Sequence, residues 1–220
     1  MERSWTVNAL AGDVIMVNPG EIHDGAPLNA NVRGWKMVYI DPALLAREVA
    51  EDIAARPIEL VRPVARDPVL AGILARLFAC LATPQSDRFA IDESFLRTLI
   101  FCLRKHGNVR LLSRGPSPTV AKAVQRLDAV PEGPVSLAEL ASVAGVSRFQ
   151  LLRGFKRELG ITPHAYLIQR RACLARKLLA KGLSPSAAAI EAGFADQSHM
   201  TRAFVRQFGI TPGRYQAAII

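Results

Sequence analysis

Apolar positions change their period along the chain. Up to residue 40 they come in short runs: Trp5 and Val7, then Val14-Ile15-Met16-Val17, then Trp35-Lys36-Met37-Val38-Tyr39-Ile40, with Gly, Pro and Asn clusters between them. Short apolar runs bounded by turn-forming residues predict β-strands. Beyond Pro42 the pattern becomes helical. Leu70, Ile73, Leu74, Leu77, Phe78 and Leu81 recur at helical spacing within Pro68 to Leu81, and Phe95, Leu99 and Leu103 do so within Ile91 to Arg104. These stretches predict two amphipathic helices. Gly107 to Thr119 is rich in Pro, Gly and Ser and reads as a linker. From Val120 onward no strand pattern occurs. The expected class is α+β, with a β domain and two helices in residues 1–106, a linker at 107–119 and an all-α domain over 120–220.

The all-α half contains an internal echo. Arg153, Phe155, Arg157, Gly160-Ile-Thr-Pro163 and Tyr166 return 49 residues later as Arg202, Phe204, Arg206, Gly209-Ile-Thr-Pro212 and Tyr215. Each copy ends a helix on Gly and opens the next with Thr as N-cap and Pro in its first turn. Upstream, Ser136-Leu-Ala-Glu139 has the spacing of a capping box, followed by Leu140, Ala141 and Val143 and a turn at Gly145-Val146-Ser147. The second copy has Ser184 or Ser186 near its start, then Ala188 and Ile190, and the turn Gly193-Phe194-Ala195, one residue longer. Ala138, Ala141 and Ala189 are small enough to let paired helices approach closely. Helix, short Gly-containing turn, helix is the helix-turn-helix pattern, whose second helix enters the major groove. The units span about 120–160 and 182–217, with Pro163 to Lys181 as one joining helix about 28 Å long.

Helical phase then sorts side chains. In Ser147 to Leu159 one row is Leu151, Phe155 and Leu159, which leaves Phe149, Gln150, Arg153, Lys156 and Arg157 largely opposite. For Phe149 a semi-buried core position is the competing, lesser reading. In Asp196 to Phe208 the buried row is Met200, Phe204 and Phe208, with Ser198, His199, Arg202 and Arg206 outward and Gln197 in the first turn. Gln suits adenine, Arg suits guanine, and Ser or His adapts to several base edges. For His199 a plain surface histidine is the competing reading. Lys156, Arg157 and Arg206, with Arg170 and Arg171 on the polar side of the joining helix, suit phosphates.

Charge supports this division. Residues 1–115 carry 14 Lys+Arg against 13 Asp+Glu and residues 116–220 carry 14 against 6, so the halves stand at +1 and +8 within a total of +9. A basic excess confined to the repeat is the footprint expected for duplex DNA, where each neutralised phosphate releases counterions. A helical bundle with a solvated basic face would explain the apolar rows alone.

These residues resemble the AraC/XylS family of transcription regulators. The likeness runs from about Val120 to Tyr215 and is most specific in Ala192-Gly-Phe-Ala-Asp-Gln-Ser-His-Met-Thr-Arg-Ala-Phe204 and Gly209-Ile-Thr-Pro-Gly-Arg-Tyr215. It implies base contacts from Phe149, Gln150, Leu152 and Arg153 in the first unit and Gln197, Ser198, His199 and Arg202 in the second. Leu152 would offer only apolar contact to a thymine methyl. Pro185 stands where the family has an apolar helix residue, so the second support helix is expected to begin there. Gly12-Asp-Val-Ile-Met-Val-Asn-Pro-Gly-Glu-Ile-His23, with Tyr39-Ile-Asp-Pro42 and Arg66-Asp-Pro68, resembles the family's cupin-like sensor domain. Only eleven residues precede Gly12, which implies an incomplete barrel, a start farther upstream, or completion by another segment. The resemblance also implies a homodimer formed through the two amphipathic helices, a small-molecule effector for which His23 is a weak candidate contact, and RNA polymerase as a partner.

Other classes fit less well. His23, His106, His164 and His199 form no His-x-His pair, so a cupin-type metalloenzyme fused to a basic domain lacks its ligands, and no metal or other cofactor is expected. Cys80, Cys102 and Cys173 are far apart, without the setting of a repair methyltransferase or a zinc site, and read as reduced core thiols. A nonspecific nucleoid protein would bind all duplexes alike. The N-terminus has no uninterrupted apolar run and Arg76 interrupts the longest later one, so a cytoplasmic, membrane-free, non-enzymatic protein is the expectation.

Overall fold

The computed structural model describes residues 7–21, 34–49, 58–83, 87–109 and 120–218. Trp5, His23 and residues 110–119 of the expected linker lie outside the described residues. The chain divides into two compact units, Met1–Pro84 with Ser94–Arg114, and Gln85–Glu93 with Gly115–Ile220.

In the first unit β1 (Val14–Ile15) pairs antiparallel with β2 (Val64–Ala65), Val14 opposite Ala65 and Ile15 opposite Val64. Helices α1 (Pro42–Val49), α2 (Pro68–Ala82) and α3 (Arg88–His106) follow the helical periodicity, although α3 begins within the segment 85–93 that belongs to the second unit. Met16, Ala65 and Leu70 form a small core with Val14, Leu60, Leu74, Phe101 and Cys102 around it. Asp67 N-caps α2, accepting from Val69 N at 3.1 Å and Leu70 N at 3.3 Å. Its other oxygen meets Lys105 Nζ at 2.8 Å and His106 Nε2 at 3.0 Å at the end of α3. The Lys105 hydrogen bond, opposed by burial and aided by His106, holds this carboxyl well below the usual carboxylate range. One side chain therefore ties the start of α2 to the end of α3. The three cysteines are free and half-buried, and burial pushes the Cys102 thiol up to about 11, so that it behaves as an apolar core group at neutral pH.

Among the described residues the β structure of this unit is that one ladder and an isolated bridge between Leu60 and Gly107. Trp35 to Ile40, expected as a strand, lies outside any ladder, with Trp35, Met37 and Tyr39 exposed. Its apolar residues occupy both alternating faces, so the sequence pattern specified no buried side.

The second unit is built from α4 (Val120–Ala129), α5 (Leu137–Ala144), α6 (Arg148–Leu159), α7 (Pro163–Ala180), α8 (Pro185–Glu191), α9 (Gln197–Phe208) and α10 (Pro212–Ala217). The repeat's punctuation works as its chemistry demands. Gly160 and Gly209 cap α6 and α9 in the left-handed conformation, and Thr162 and Thr211 then accept from Ala165 N and Arg214 N to open α7 and α10. The two turns are matched by Val146 N to Ala141 O at 3.0 Å and Phe194 N to Ala189 O at 2.9 Å. Ser136 caps α5, but Glu139 does not complete the expected box; its carboxylate takes Arg126 of α4 at 2.8 Å. The complete capping box is at Ser147 and Gln150. Helices α4, α5 and α6 pack into one lobe, and α7 to α10 into the other. In the second lobe Ala172, Ala175 and Leu179 of α7 share a core with Ala188, Met200 and Phe204. The joining helix is therefore a core element as well as a spacer. Among the described residues no helix is long and apolar enough to cross a membrane.

Candidate nucleic-acid interface

Helix α9 presents the clearest surface. Asp196 caps it, accepting from His199 N, and Met200, Ala203 and Phe204 face the core. That phase leaves Gln197, Ser198, Arg202 and Arg206 exposed, and none of the four makes a hydrogen bond or ion pair among the described residues. Three of the four lie within the first two turns, two amide or hydroxyl groups beside a guanidinium. His199 is different. It is half-buried, its ring edge-on to Phe194 with centroids 5.2 Å apart, and burial lowers its pKa, so the imidazole is neutral at pH 7. It lines an open cleft of about 370 Å³ together with Asp87 and Arg171.

Because the folded pKa of His199 lies below its ordinary 6.5, the unfolded chain binds the proton more readily, and stability is lost as pH falls below that value. Thermal midpoints of wild type and His199→Gln should therefore diverge between about pH 7 and pH 5, with the wild type losing more. Parallel curves would remove this role.

Helix α6 corrects several expectations. Phe149 is 0% and Leu152 3% exposed, so neither has side-chain surface to give a base edge. The reason is that α6 packs on both α4 and α5, which widens its buried arc beyond the single row of Leu151 and Phe155. Gly154 lies in this arc, where a Cβ would come 2.7 Å from the Val120 side chain. Leu159, expected in the row, is exposed at the helix end. Phe149 instead underlies Arg153, whose guanidinium carbon lies 6.0 Å from its ring centroid. Gln150 is half-buried and its amide oxygen accepts from Ser147 N at 3.3 Å. Lys156 and Arg157 are exposed; the first reaches the Gly160 carbonyl at 2.7 Å and the second pairs with Glu158 at 2.7 Å.

Two expected phosphate contacts have structural partners. Arg170 pairs with Asp128 at 2.7 Å, and Tyr166 donates to the same carboxylate at 2.9 Å. Arg171 is 8% exposed and donates from Nε to Pro131 O at 2.8 Å and from Nη2 to Gly133 O at 3.1 Å. Both tie α7 to the end of α4 and the loop after it. Gly193 adds to this junction: a Cβ there would come 2.5 Å from Glu132 O, so the turn before α9 touches the backbone of the first lobe. These contacts join α7 and the turn before α9 to the end of α4 and the loop that follows it. A basic residue outside the second helices, Arg214 on α10, is also exposed. Among the described residues no group of three or more His, Cys, Asp or Glu is placed to hold a metal.

A helix-turn-helix domain family model matches residues 140–218, and a model for the AraC-like ligand binding domain matches residues 3–100. The chain is 30% identical over 193 residues to the uncharacterised HTH-type transcriptional regulator YbfI of Bacillus subtilis, across 86% of this chain and 70% of that protein. It is 35% identical over 136 residues to the probable transcriptional regulator LumQ of Photobacterium leiognathi, across 52% of this chain and 55% of that protein. The crystal structure of an AraC-type transcriptional regulator from Chromobacterium violaceum is similar at 34% identity and TM-score 0.45, over 48% of this chain and 95% of that one. The chain belongs to the AraC-type helix-turn-helix transcriptional regulators. It spans 70% of the first of these curated relatives and about half of the second.

Proposed function

We propose that this chain is a sequence-specific regulator that reads duplex DNA with α6 and α9 in successive major-groove segments and responds to a small molecule through its N-terminal half. The observation that carries the reading is the set of exposed polar side chains on α9, Gln197, Ser198, Arg202 and Arg206, without intramolecular partners among the described residues. A buried core beneath and unsatisfied donors above are what a helix needs to meet base edges. In this reading Gln197, Ser198 and Arg202 contact bases from the second lobe, with neutral His199 at their margin. Gln150 and Arg153 do so from the first, Arg153 held by the Phe149 ring. Lys156, Arg157 and Arg206 take phosphates. A homodimer, contact with RNA polymerase, a cytoplasmic location and the absence of enzymatic activity complete the proposal.

Arg202→Ala tests it. If Arg202 forks onto a guanine, the variant loses about 1–3 kcal/mol on the preferred duplex and tolerates any base at one position. Arg206→Ala should weaken preferred and unrelated duplexes alike and reduce the salt slope by about one counterion. The wild type should prefer its own site at least about a thousandfold over unrelated duplex at physiological salt. Equal affinity for all duplexes would leave a nonspecific basic bundle.

A further inference from the structure

The start of α3 is committed to the first turn of α7. Glu93 Oε2 accepts from the backbone N–H of His164 at 2.8 Å. Asp87 Oδ2 meets His164 Nε2 at 3.2 Å, and the Phe89 ring stands edge-on to the imidazole with centroids 5.5 Å apart. Glu93 and Phe89 are buried. His164 N is one of the first-turn amides that α7 cannot satisfy itself; Thr162 Oγ1 takes the next one, Ala165 N, at 3.3 Å. A carboxylate at this place also faces the positive end of the helix dipole. Asp87 is anchored in turn by capping α3, accepting from Phe89 N at 2.9 Å.

The position of this clasp matters because of what α7 connects. Its first turn follows the Gly160-Ile161-Thr162 elbow that ends α6, and its later residues Ala172, Ala175 and Leu179 share the core with Met200 and Phe204 of α9. A tilt at the start of α7 therefore moves α6 relative to α9. The ligand-binding family model runs to residue 100, yet residues 85–93 belong to the compact unit of the helix-turn-helix lobes. Helix α3 continues without a break past that boundary to His106.

We infer that Glu93, supported by Asp87 and Phe89, is a positioning residue for DNA reading: it sets the angle between α6 and α9. The inference rests on the proposal that α6 and α9 read DNA.

The test uses the full chain, a duplex selected by the wild type from a random pool, and a scrambled duplex of the same length and composition. Glu93→Ala should weaken the selected duplex roughly tenfold, equivalent to one decade in Kd. Affinity for the scrambled duplex and the salt slope should stay at wild-type values, because the phosphate-facing cations are untouched. Glu93→Gln, whose amide oxygen still accepts from His164 N–H, should recover most of the loss. Asp87→Asn, which retains an oxygen to cap α3, gives a milder variant and should lower the same ratio by a few-fold. Unchanged ratios of selected to scrambled affinity in Glu93→Ala and Asp87→Asn would overturn the inference alone. So would a parallel fall of both affinities with loss of helical circular dichroism. A wild type that enriches no duplex overturns the DNA-reading proposal and this inference with it.

Discussion

Gly193→Ala is expected to destabilise the second unit by about 3 kcal/mol or more and to abolish selective DNA binding. Gly193 has φ +82°, a left-handed conformation that costs an L-residue roughly 1–2 kcal/mol. The added Cβ would also lie 2.5 Å from Glu132 O, 2.8 Å from Glu132 Cα and 3.0 Å from Arg171 Nε. Two of those atoms are backbone, so relief requires the lobes to separate and the Arg171 hydrogen bonds to Pro131 and Gly133 to stretch. Gly145→Ala is the matched control. It has φ +69° with nothing within 4 Å of its Cβ, and should show the conformational cost alone. Thermal unfolding followed by circular dichroism should place the Gly193 variant well below the Gly145 variant, by on the order of 10 °C. Equal midpoints would mean that the lobe contact contributes nothing.

Phe149→Ala is expected to cost about 3–5 kcal/mol in unfolding free energy, the range for truncating a buried aromatic. The side chain is 0% exposed among the helices of the first lobe and also supports Arg153. Urea unfolding distinguishes this from a contact role. A base-reading Phe149 would lower DNA affinity and leave the midpoint alone, whereas a core Phe149 lowers the midpoint first. Unchanged stability with reduced affinity would return the residue to the interface.

The legible parts of this chain are those written in local chemistry. The Gly-Ile-Thr-Pro punctuation of the two copies needs only its own few residues to end one helix and start the next, and both copies do so in the structure. Helix α9 was legible for the same reason: its core packs on one side, so one apolar row left the opposite face polar. Helix α6 was less so, because contact with both α4 and α5 buries a second row that one-row phase assigns to solvent. Arg170 and Arg171 show the limit of charge. A cation on the polar side of a helix is equally suited to a phosphate or to backbone carbonyls 38 to 40 residues away, and Arg171 took the carbonyls. Glu93 and His164 are 71 residues apart, and no periodicity encodes such a meeting. It is also why a boundary at residue 106 misses the part of α3 that belongs with the lobes. In the N-terminal half the short apolar runs suggested strands, but pairing depends on partners, and the described ladder is two residues long.

We propose that α6 and α9, two helices of one compact unit, read two segments of one duplex. Selection of bound fragments from a random duplex pool by the full chain measures this directly. The expected result is an enriched site with two elements whose centres lie one helical turn apart, about 10–10.5 base pairs. One of its positions should lose its base preference in the Arg202→Ala variant. A pool that returns without enrichment, or with elements at no fixed spacing, would contradict it.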